Sequence, residues 1–418
     1  MSGRNSLEGP AMIILVINTG SSSIKYELFD MKDRKILARG LAERIGEESG
    51  ILTYEIVPAD GKPTKKREKG MIADHQEGLN RIVDLLVDPE HGAVADKSEI
   101  AAVGHRVVHG GEAFKATTII DRNVIAAIKK NIPLAPLHNP ANLTGIEVAG
   151  SVFPDATQVA VFDTAFHQTI PGHAFLYAIP YEMYERYKVR RYGFHGTSHA
   201  YIAETAAEYL GRPTGELNLI TIHLGNGASM AAIGNGNCID TTMGMTPLAG
   251  LVMGTRSGDV DPSIPFFLAD HLKMSFRDID DLLNKKSGLK GICGANDMRE
   301  VIERKEAGDK RAEIAIDIYT YRIKKFIGAY FAALGSLDAL IFTAGIGENS
   351  PYIRELSCRG LDKLGIEIDP ERNNKAGDGI REINSAAMEV KVMVIPTNEE
   401  LKIAQETKKV IEKGRGIT

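Results

Sequence analysis

Tryptophan is absent from this sequence of 418 residues, and cysteine nearly so. The three thiols, Cys238, Cys293 and Cys358, stand far apart without CxxC spacing. Neither a disulfide framework nor a zinc knuckle is expected, and a reducing compartment, the cytoplasm, fits best. Long apolar runs are missing too. Residues 13–17 are far too few to cross a bilayer, and residues 1–11 lack the apolar centre of a signal peptide, so no membrane partner is expected. Residues 1–11 read as a leader or cloning scar outside the fold. Positive charge is not in excess: 50 basic against 55 acidic residues leave a net charge of −5, which gives no reason to expect nucleic acid as a partner. An anionic substrate must then be met by local positive charge.

What is present suits an ordinary globular chain, 43% hydrophobic and 25% charged, with length for two or three domains at about 150 residues each. Residues 13–30 read as strand, polar turn and strand, because β-branched and apolar residues flank Asn18-Thr19-Gly20-Ser21-Ser22-Ser23. The pattern returns at residues 217–234 around Leu224-Gly225-Asn226-Gly227-Ala228, with Asn18 falling on His223 and Gly20 on Gly225. Two such units opening two large segments predict a duplicated α/β fold in which each half offers a glycine-bearing hairpin to a shared cleft. Residues 123–131, 198–210 and 312–334 carry helical spacing, and residues 100–108, 156–162, 337–343 and 390–396 read as strands. Strand 337–343 runs into a third glycine loop, Ala344-Gly345-Ile346-Gly347-Glu348-Asn349, with a helix from about Tyr352. No low-complexity linker separates the halves.

Standard nucleotide motifs fail against these turns. No G-x-x-x-x-G-K-[ST] exists, and the dinucleotide fingerprint breaks at Met230 and at Ser350, where its third glycine belongs. A Walker ATPase and a Rossmann dehydrogenase are disfavoured. Phosphate held by backbone N–H groups in hairpin turns remains. Each turn alone has a steric explanation; three at the C-terminal ends of apolar strands point to a ligand.

The segment 103–111 has a two-residue period that places Arg106 and Val108 on one face and His105, Val107 and His109 on the other. A bidentate arginine beside a small apolar wall suits a carboxylate with a short alkyl tail, though a lone arginine is equally at home in a surface ion pair. Arg256 stands among small residues that leave its guanidinium unobstructed. His195 and His199 have the spacing of a metal pair without the glutamate of H-E-x-x-H, so zinc hydrolysis is disfavoured; His199 reads as packed or capping and His195 as the more available. Phosphoryl transfer needs alignment and charge neutralisation more than covalent chemistry, and arginines with a histidine donor meet that need. Asn18 and Glu399 offer hard oxygen ligands for Mg2+, or Mn2+, although Glu399 also fits the dull role of a helix-start carboxylate.

With these residues in view, the chain resembles the acetate kinase (acetokinase) family of the sugar kinase, Hsp70 and actin superfamily. The matching segments are NTGSSSIKY (18–26), GHRVVHGGE (104–112), RYGFHGTSH (191–199), HLGNGAS (223–229), FTAGIGENS (342–350) and PTNEE (396–400). The resemblance implies two duplicated ribonuclease-H-like, actin-like ATPase domains with an active-site cleft between them. Residues 12–163 with 400–418 would form the acid-binding, dimer-side domain, and residues 164–399 the nucleotide-binding one. It implies a homodimer and a reversible, Mg2+-dependent, in-line transfer from ATP to acetate, giving acetyl phosphate and ADP. Asn18 and Glu399 look like the metal-associated pair and Lys25 like a nucleotide-site residue. Arg106 and Arg256 resemble the substrate and transition-state arginines, His195 the transition-state stabiliser and Asp163 the catalytic acidic residue; Asp163 by itself passes for a cap. The ATP-binding segments correspond to His223, Leu224, Gly225, Asn226 and Gly227, to Asp297, Met298 and Arg299, and to Gly345, Ile346, Gly347, Glu348 and Asn349. Val108, Leu137, Phe194 and Pro247 match the pocket around the methyl group, with His138 beside it.

Two rival readings stand next to this one. A propionate or butyrate kinase of the same family differs by methylenes worth only about 1–3 kcal/mol each in an apolar pocket. A nucleotide-switched actin-like or chaperone ATPase shares the ATP turns and lacks the acid pocket. The intact 345–349 segment favours ATP over pyrophosphate as donor, by resemblance.

Overall fold

The structure, a computed structural model, describes residues 12–57, 63–136 and 138–414. The expected leader, residues 1–11, and Leu137 lie outside them. Two compact units divide the chain: one runs to Ala165 and takes in the residues from Asn398 onward, and the other is Phe166–Thr397. Thr164, Ala165, Asn398 and Glu399, which the sequence reading placed in the nucleotide half, fall in the first unit.

The first unit holds strands β1 (Ile13–Gly20), β2 (Ser23–Asp30), β3 (Lys35–Glu43), β4 (Ile51–Ile56), β5 (Thr64–Lys69), β6 (Ile100–Val107), β7 (Thr118–Ile119) and β8 (Thr157–Phe162). They form one sheet in the order β5-β4-β3-β2-β1-β6-β8-β7. β1 is antiparallel to β2 and parallel to β6, which is parallel to β8. Central parallel strands are covered on both faces, so β1 reads IILVI without polar interruption. Leu15 and Ile17 pack with Leu79 and Ile82 of helix His75–Leu86 and with Ala149 of helix Asn139–Val152. Ile14 and Val16 pack with Ile403, Ala404 and Ile411 of the terminal helix Glu399–Gly414. That helix sits close because residue 104 is glycine: a Cβ there would lie 2.5 Å from Thr407 Oγ1.

The second unit repeats the plan with β9 (Asn218–Leu224), β10 (Ala228–Gly234), β11 (Asn237–Thr241), β12 (Ala339–Thr343), β13 (Arg381–Glu382) and β14 (Lys391–Val394), ordered β11-β10-β9-β12-β14-β13. β9 is antiparallel to β10 and parallel to β12, as β1 is to β2 and β6. In each unit an antiparallel run of strands, five in the first and three in the second, leads into two parallel ones, an arrangement that agrees with the duplicated α/β fold predicted from the repeat and the ribonuclease-H-like domains implied by the resemblance. Leu219, Ala231 and Ile233 pack with Ile202, Ala203 and Ala206 of helix Gly196–Leu210. Helix Lys310–Leu334, capped by Asp309 and ended at Gly335 with φ 77°, buries Ile316, Tyr319, Ile323 and Ile327.

Two local expectations are corrected. Strand β6 ends at Val107, because the Val108 N–H donates to Asn142 Oδ1 (3.0 Å) and the His109 N–H to Asn139 Oδ1 (3.1 Å) instead of to a neighbouring strand. The glycine segment after β12 is not a loop but a short helix, Ala344–Asn349. It turns directly off the strand through Ala344 at φ 64°, and the Ala344 N–H donates to Glu348 Oε1 (2.8 Å).

Candidate functional site

In the first unit the polar residues gather at the C-terminal ends of the parallel strands, where open α/β sheets bind ligands. Asp163 follows β8 directly, and the β6–β8 register pairs Arg106 with Val161 and Val107 with Phe162. Arg106 Nε donates to Asp163 Oδ1 (3.2 Å) and Oδ2 (3.1 Å), and Nη2 donates to Oδ2 (2.7 Å). Asp163 is buried and Arg106 half-buried. Glu399, at the start of the terminal helix, brings Oε2 to 3.8 Å from Arg106 Nε. Burial alone would lower the Arg106 pKa, but Asp163 and Glu399 outweigh it and hold the guanidinium charged. Its remaining nitrogen, Nη1, has no hydrogen bond among the described residues, leaving a fixed donor edge for a second carboxylate.

Glu399 itself is pushed up to about 7, first by burial and then by Asp163 and Glu400 against the pull of Arg106. Lys25, on β2 opposite Asn18, pairs with Glu400. The half-buried Asn18 makes no side-chain hydrogen bond among the described residues. Three carboxylates, Asp163, Glu399 and Glu400, thus face two cations, Arg106 and Lys25, beside an unused amide oxygen. That surplus of negative charge and hard oxygen fits a divalent cation, although the described residues contain no ready-made cluster of three metal-ligating side chains. Of the expected methyl pocket, Val108 is buried beyond the end of β6, and the half-buried His138 stands just before helix Asn139–Val152 without a side-chain capping bond.

In the second unit the period of two aims Thr221 and His223 of β9, and Ser229 of β10, at helix Gly196–Leu210; His223 and Ser229 are direct partners in the ladder. That helix starts at His195, whose φ of 56° is unusual for a residue with a side chain. His195 Nδ1 meets Ser229 Oγ (2.9 Å), and its ring stacks on His223 at 4.3 Å. The buried His199 meets Ser229 Oγ through Nε2 (2.8 Å) and Thr221 Oγ1 through Nδ1 (2.7 Å). It is packed inside, and burial holds its ring well below the usual histidine pKa. A Cβ on Gly227 would lie 3.2 Å from His195 Nε2 and 3.6 Å from Arg256 Nη1, so the bare glycine gives both groups one open point of approach. Arg256 Nη1 donates to the Pro247 carbonyl (3.2 Å), and no carboxylate pairs with Arg256 among the described residues; burial lowers its pKa. Phe194, before His195, is buried.

A cavity of about 690 Å³ opens beside this cluster, lined by Gly225, Asn226, Asp297, Met298, Arg299, Gly345, Ile346 and Asn349. Sequence reasoning missed its other walls, Asn296, Ile302, Ser350, Pro351 and Tyr352. Ile302 follows Met298 by one helical turn, a spacing that could have found it. His223, Leu224, Gly227, Gly347 and Glu348 are not part of the lining. Glu348 Oε1 accepts from the N–H groups of Ala344 and Thr397. The carbonyls that end helix Ala344–Asn349 are held from below: the fully buried Arg354 donates through Nη1 to Gly347 O (2.9 Å) and Glu348 O (3.0 Å), and Arg381 Nη2 also reaches Glu348 O (3.0 Å).

Comparison with known proteins agrees with this geometry. The model of the acetokinase family matches residues 13–405. An acetate kinase of Nitratidesulfovibrio vulgaris is 54% identical over 401 residues, 96% of this chain and 100% of that one. The crystal structure of Porphyromonas gingivalis acetate kinase superposes with TM-score 0.90 at 44% identity, and that of a propionate kinase from Francisella tularensis with 0.88 at 44%; each pairing covers 96% of this chain and 100% of the other. By sequence along nearly its whole length, and by a fold that carries the motif residues to the ends of matching strands, the chain belongs to the acetokinase family.

Proposed function

We propose that the protein transfers the γ-phosphoryl group of ATP reversibly to the carboxylate of acetate, giving acetyl phosphate and ADP by direct in-line displacement. The observation that carries the reading is Arg106: Asp163 locks it on one edge and its Nη1 has no hydrogen bond among the described residues, a bidentate-type receptor for a small acid. The first unit, with its terminal helix, is the acid-binding part, and the second holds the nucleotide in the cavity between Asp297-Met298-Arg299 and helix Ala344–Asn349. His195 Nε2 and Arg256, converging above Gly227, are placed to neutralise charge on the transferring oxygens. Asn18 and Glu399 would hold a Mg2+ ion, which supplies charge neutralisation to the phosphates when bound.

The exposed side chains Phe266, Phe267, Leu272 and Phe276, the last 84% exposed, support a homodimer through a face of the second unit, whereas the family resemblance puts the dimer side on the first. All three cysteines are buried free thiols, which supports a cytoplasmic location, and no helix among the described residues is long and apolar enough to cross a membrane.

The test is acyl hydroxamate formation with Mg2+, ATP and hydroxylamine. Acetate should react faster than propionate or butyrate at equal concentration. No product from any acid, with slow ATP hydrolysis alone, would give the protein to the nucleotide-switch class. The propionate kinase likeness keeps a second reading in play, and a reversed ranking of the acids would select it.

A further inference from the structure

The mechanism above uses His195 but none of the buried groups behind it. Thr221, Ser229 and His199 are each 0% exposed, and their side chains form one row: Thr221 Oγ1 to His199 Nδ1, His199 Nε2 to Ser229 Oγ, Ser229 Oγ to His195 Nδ1. Counting protons fixes the direction of this row. The Thr221 hydroxyl has no other hydrogen-bond partner among the described residues, and a buried O–H left without an acceptor costs about 1–3 kcal/mol. Its proton therefore goes to His199 Nδ1. A neutral imidazole carries one N–H, so that of His199 is on Nε2 and donates to Ser229 Oγ. The Ser229 hydroxyl has just two partners among the described residues, and with one lone pair taken by His199 its own proton goes to His195 Nδ1. In the reversed row His195 would carry its proton on Nδ1, and the Thr221 O–H would be stranded in the core.

We infer that Thr221, His199 and Ser229 are positioning residues that set the tautomer of His195, holding it neutral with its proton on Nε2, the nitrogen that faces Gly227 and Arg256. The burial of His199, which disfavours its charged form, removes the one arrangement in which both its nitrogens would donate. The consequence for the reaction rests on the proposed phosphoryl transfer: His195 offers an N–H donor to a phosphoryl oxygen at neutral pH without having to be a cation. A ring protonated on both nitrogens would turn a donor toward the Ser229 donor and break the row.

The experiment is two-bond 15N–1H correlation spectroscopy of the full chain with 15N-labelled histidine, the His195 signals being assigned by their loss in His195→Gln. Wild type should show neutral His195 as the Nε2–H tautomer. Thr221→Val keeps the shape and removes the terminal donor. It should mix the two tautomers and lower kcat about threefold or more in step with the Nε2–H fraction, with KM for ATP and acetate unchanged, and Thr221→Ser should restore both readouts. A purely structural role would lower stability without moving the tautomer. His195 protonated on Nδ1 in wild type, or Thr221→Val with unaltered tautomer and kcat, would overturn the inference. The wild-type spectrum decides even if the variant does not fold, and it is independent of whether acetate is phosphorylated, so a failed functional reading shows up separately.

Discussion

The two units share a strand order and hold their working groups by opposite means. In the first, charge is held by charge: Asp163 grips Arg106 with Glu399 close by, and Lys25 pairs with Glu400. In the second, the histidines are aligned by neutral hydroxyls, and Arg256 rests on a backbone carbonyl. The difference separates two kinds of importance. Arg106 neutralises a buried carboxylate and is part of what keeps its unit folded, whereas Arg256 compensates no buried charge and can be lost without leaving one unpaired.

Replacing each arginine by alanine is the hardest test of that contrast. On the proposed function both Arg106→Ala and Arg256→Ala should lower kcat by roughly 10³-fold or more. Only Arg106→Ala should unfold early: breaking the buried Arg106–Asp163 pair costs about 3–5 kcal/mol, a melting shift on the order of 10 °C, while Arg256→Ala stays within a few degrees of wild type. Adding Asp163→Asn to Arg106→Ala should recover most of the stability and none of the activity. Equal melting shifts for the two arginines, measured by calorimetry, would erase the distinction.

The strand–turn–strand repeat was legible because β1 and β9 are mostly apolar and run into turns of small residues, a pattern that survives without neighbours. Arg106 was legible as a candidate and Asp163 was not, since an aspartate after a strand looks like any cap until the fold brings it beside an arginine 57 residues earlier. The segment 344–349 was misread for the same kind of reason. Two glycines argue for a loop, but Glu348 satisfies the first N–H of the helix, and Arg354 and Arg381 satisfy its last carbonyls. Val108 left the strand because a side-chain amide 34 residues away took its N–H. Local pattern reports periodicity; it cannot report a partner supplied by another part of the chain.

Arg354 gives the next test, at an intermediate size. Its guanidinium is fully buried, pushed down to about 10 first by burial and then by Arg381, and it binds only oxygens of neutral groups: Asn373 Oδ1 and O, Gly347 O and Glu348 O. It is a fully buried charge of the second unit that holds the end of helix Ala344–Asn349, the helix whose Gly345, Ile346 and Asn349 line the cavity. Lysine in its place cannot reach these acceptors with one ammonium. Arg354→Lys should raise KM for ATP about tenfold, the scale of one or two lost charge-assisted hydrogen bonds, while KM for acetate stays put. If both KM values or neither moved, the helix would not be what Arg354 positions.

The smallest effect concerns the negative surplus of the first unit. Glu27 on β2 is 8% exposed, and its carboxyl is pushed up to about 7, first by burial and then by Glu400, against the pull of Lys25 at 3.9 Å and of Arg39. The folded pKa lies above the ordinary 4.5, so the sign is definite: the folded state binds this proton more tightly than the unfolded chain does. The stability it contributes is complete below about 4.5 and is lost as pH rises through about 7. Glu27→Gln removes the titration while keeping the shape. The variant should therefore gain on wild type as pH rises from 5 to 8, reaching a melting advantage of roughly a few degrees, with the difference shrinking again toward pH 5. The second unit's hydroxyl and imidazole row supplies no acidic surplus of this kind, and a Thr221→Ser control should show a flat difference across the same range. A flat profile for Glu27→Gln as well would mean that Lys25 and Arg39 already balance the charge, and that the contrast between the units lies in Arg106 and Asp163 alone.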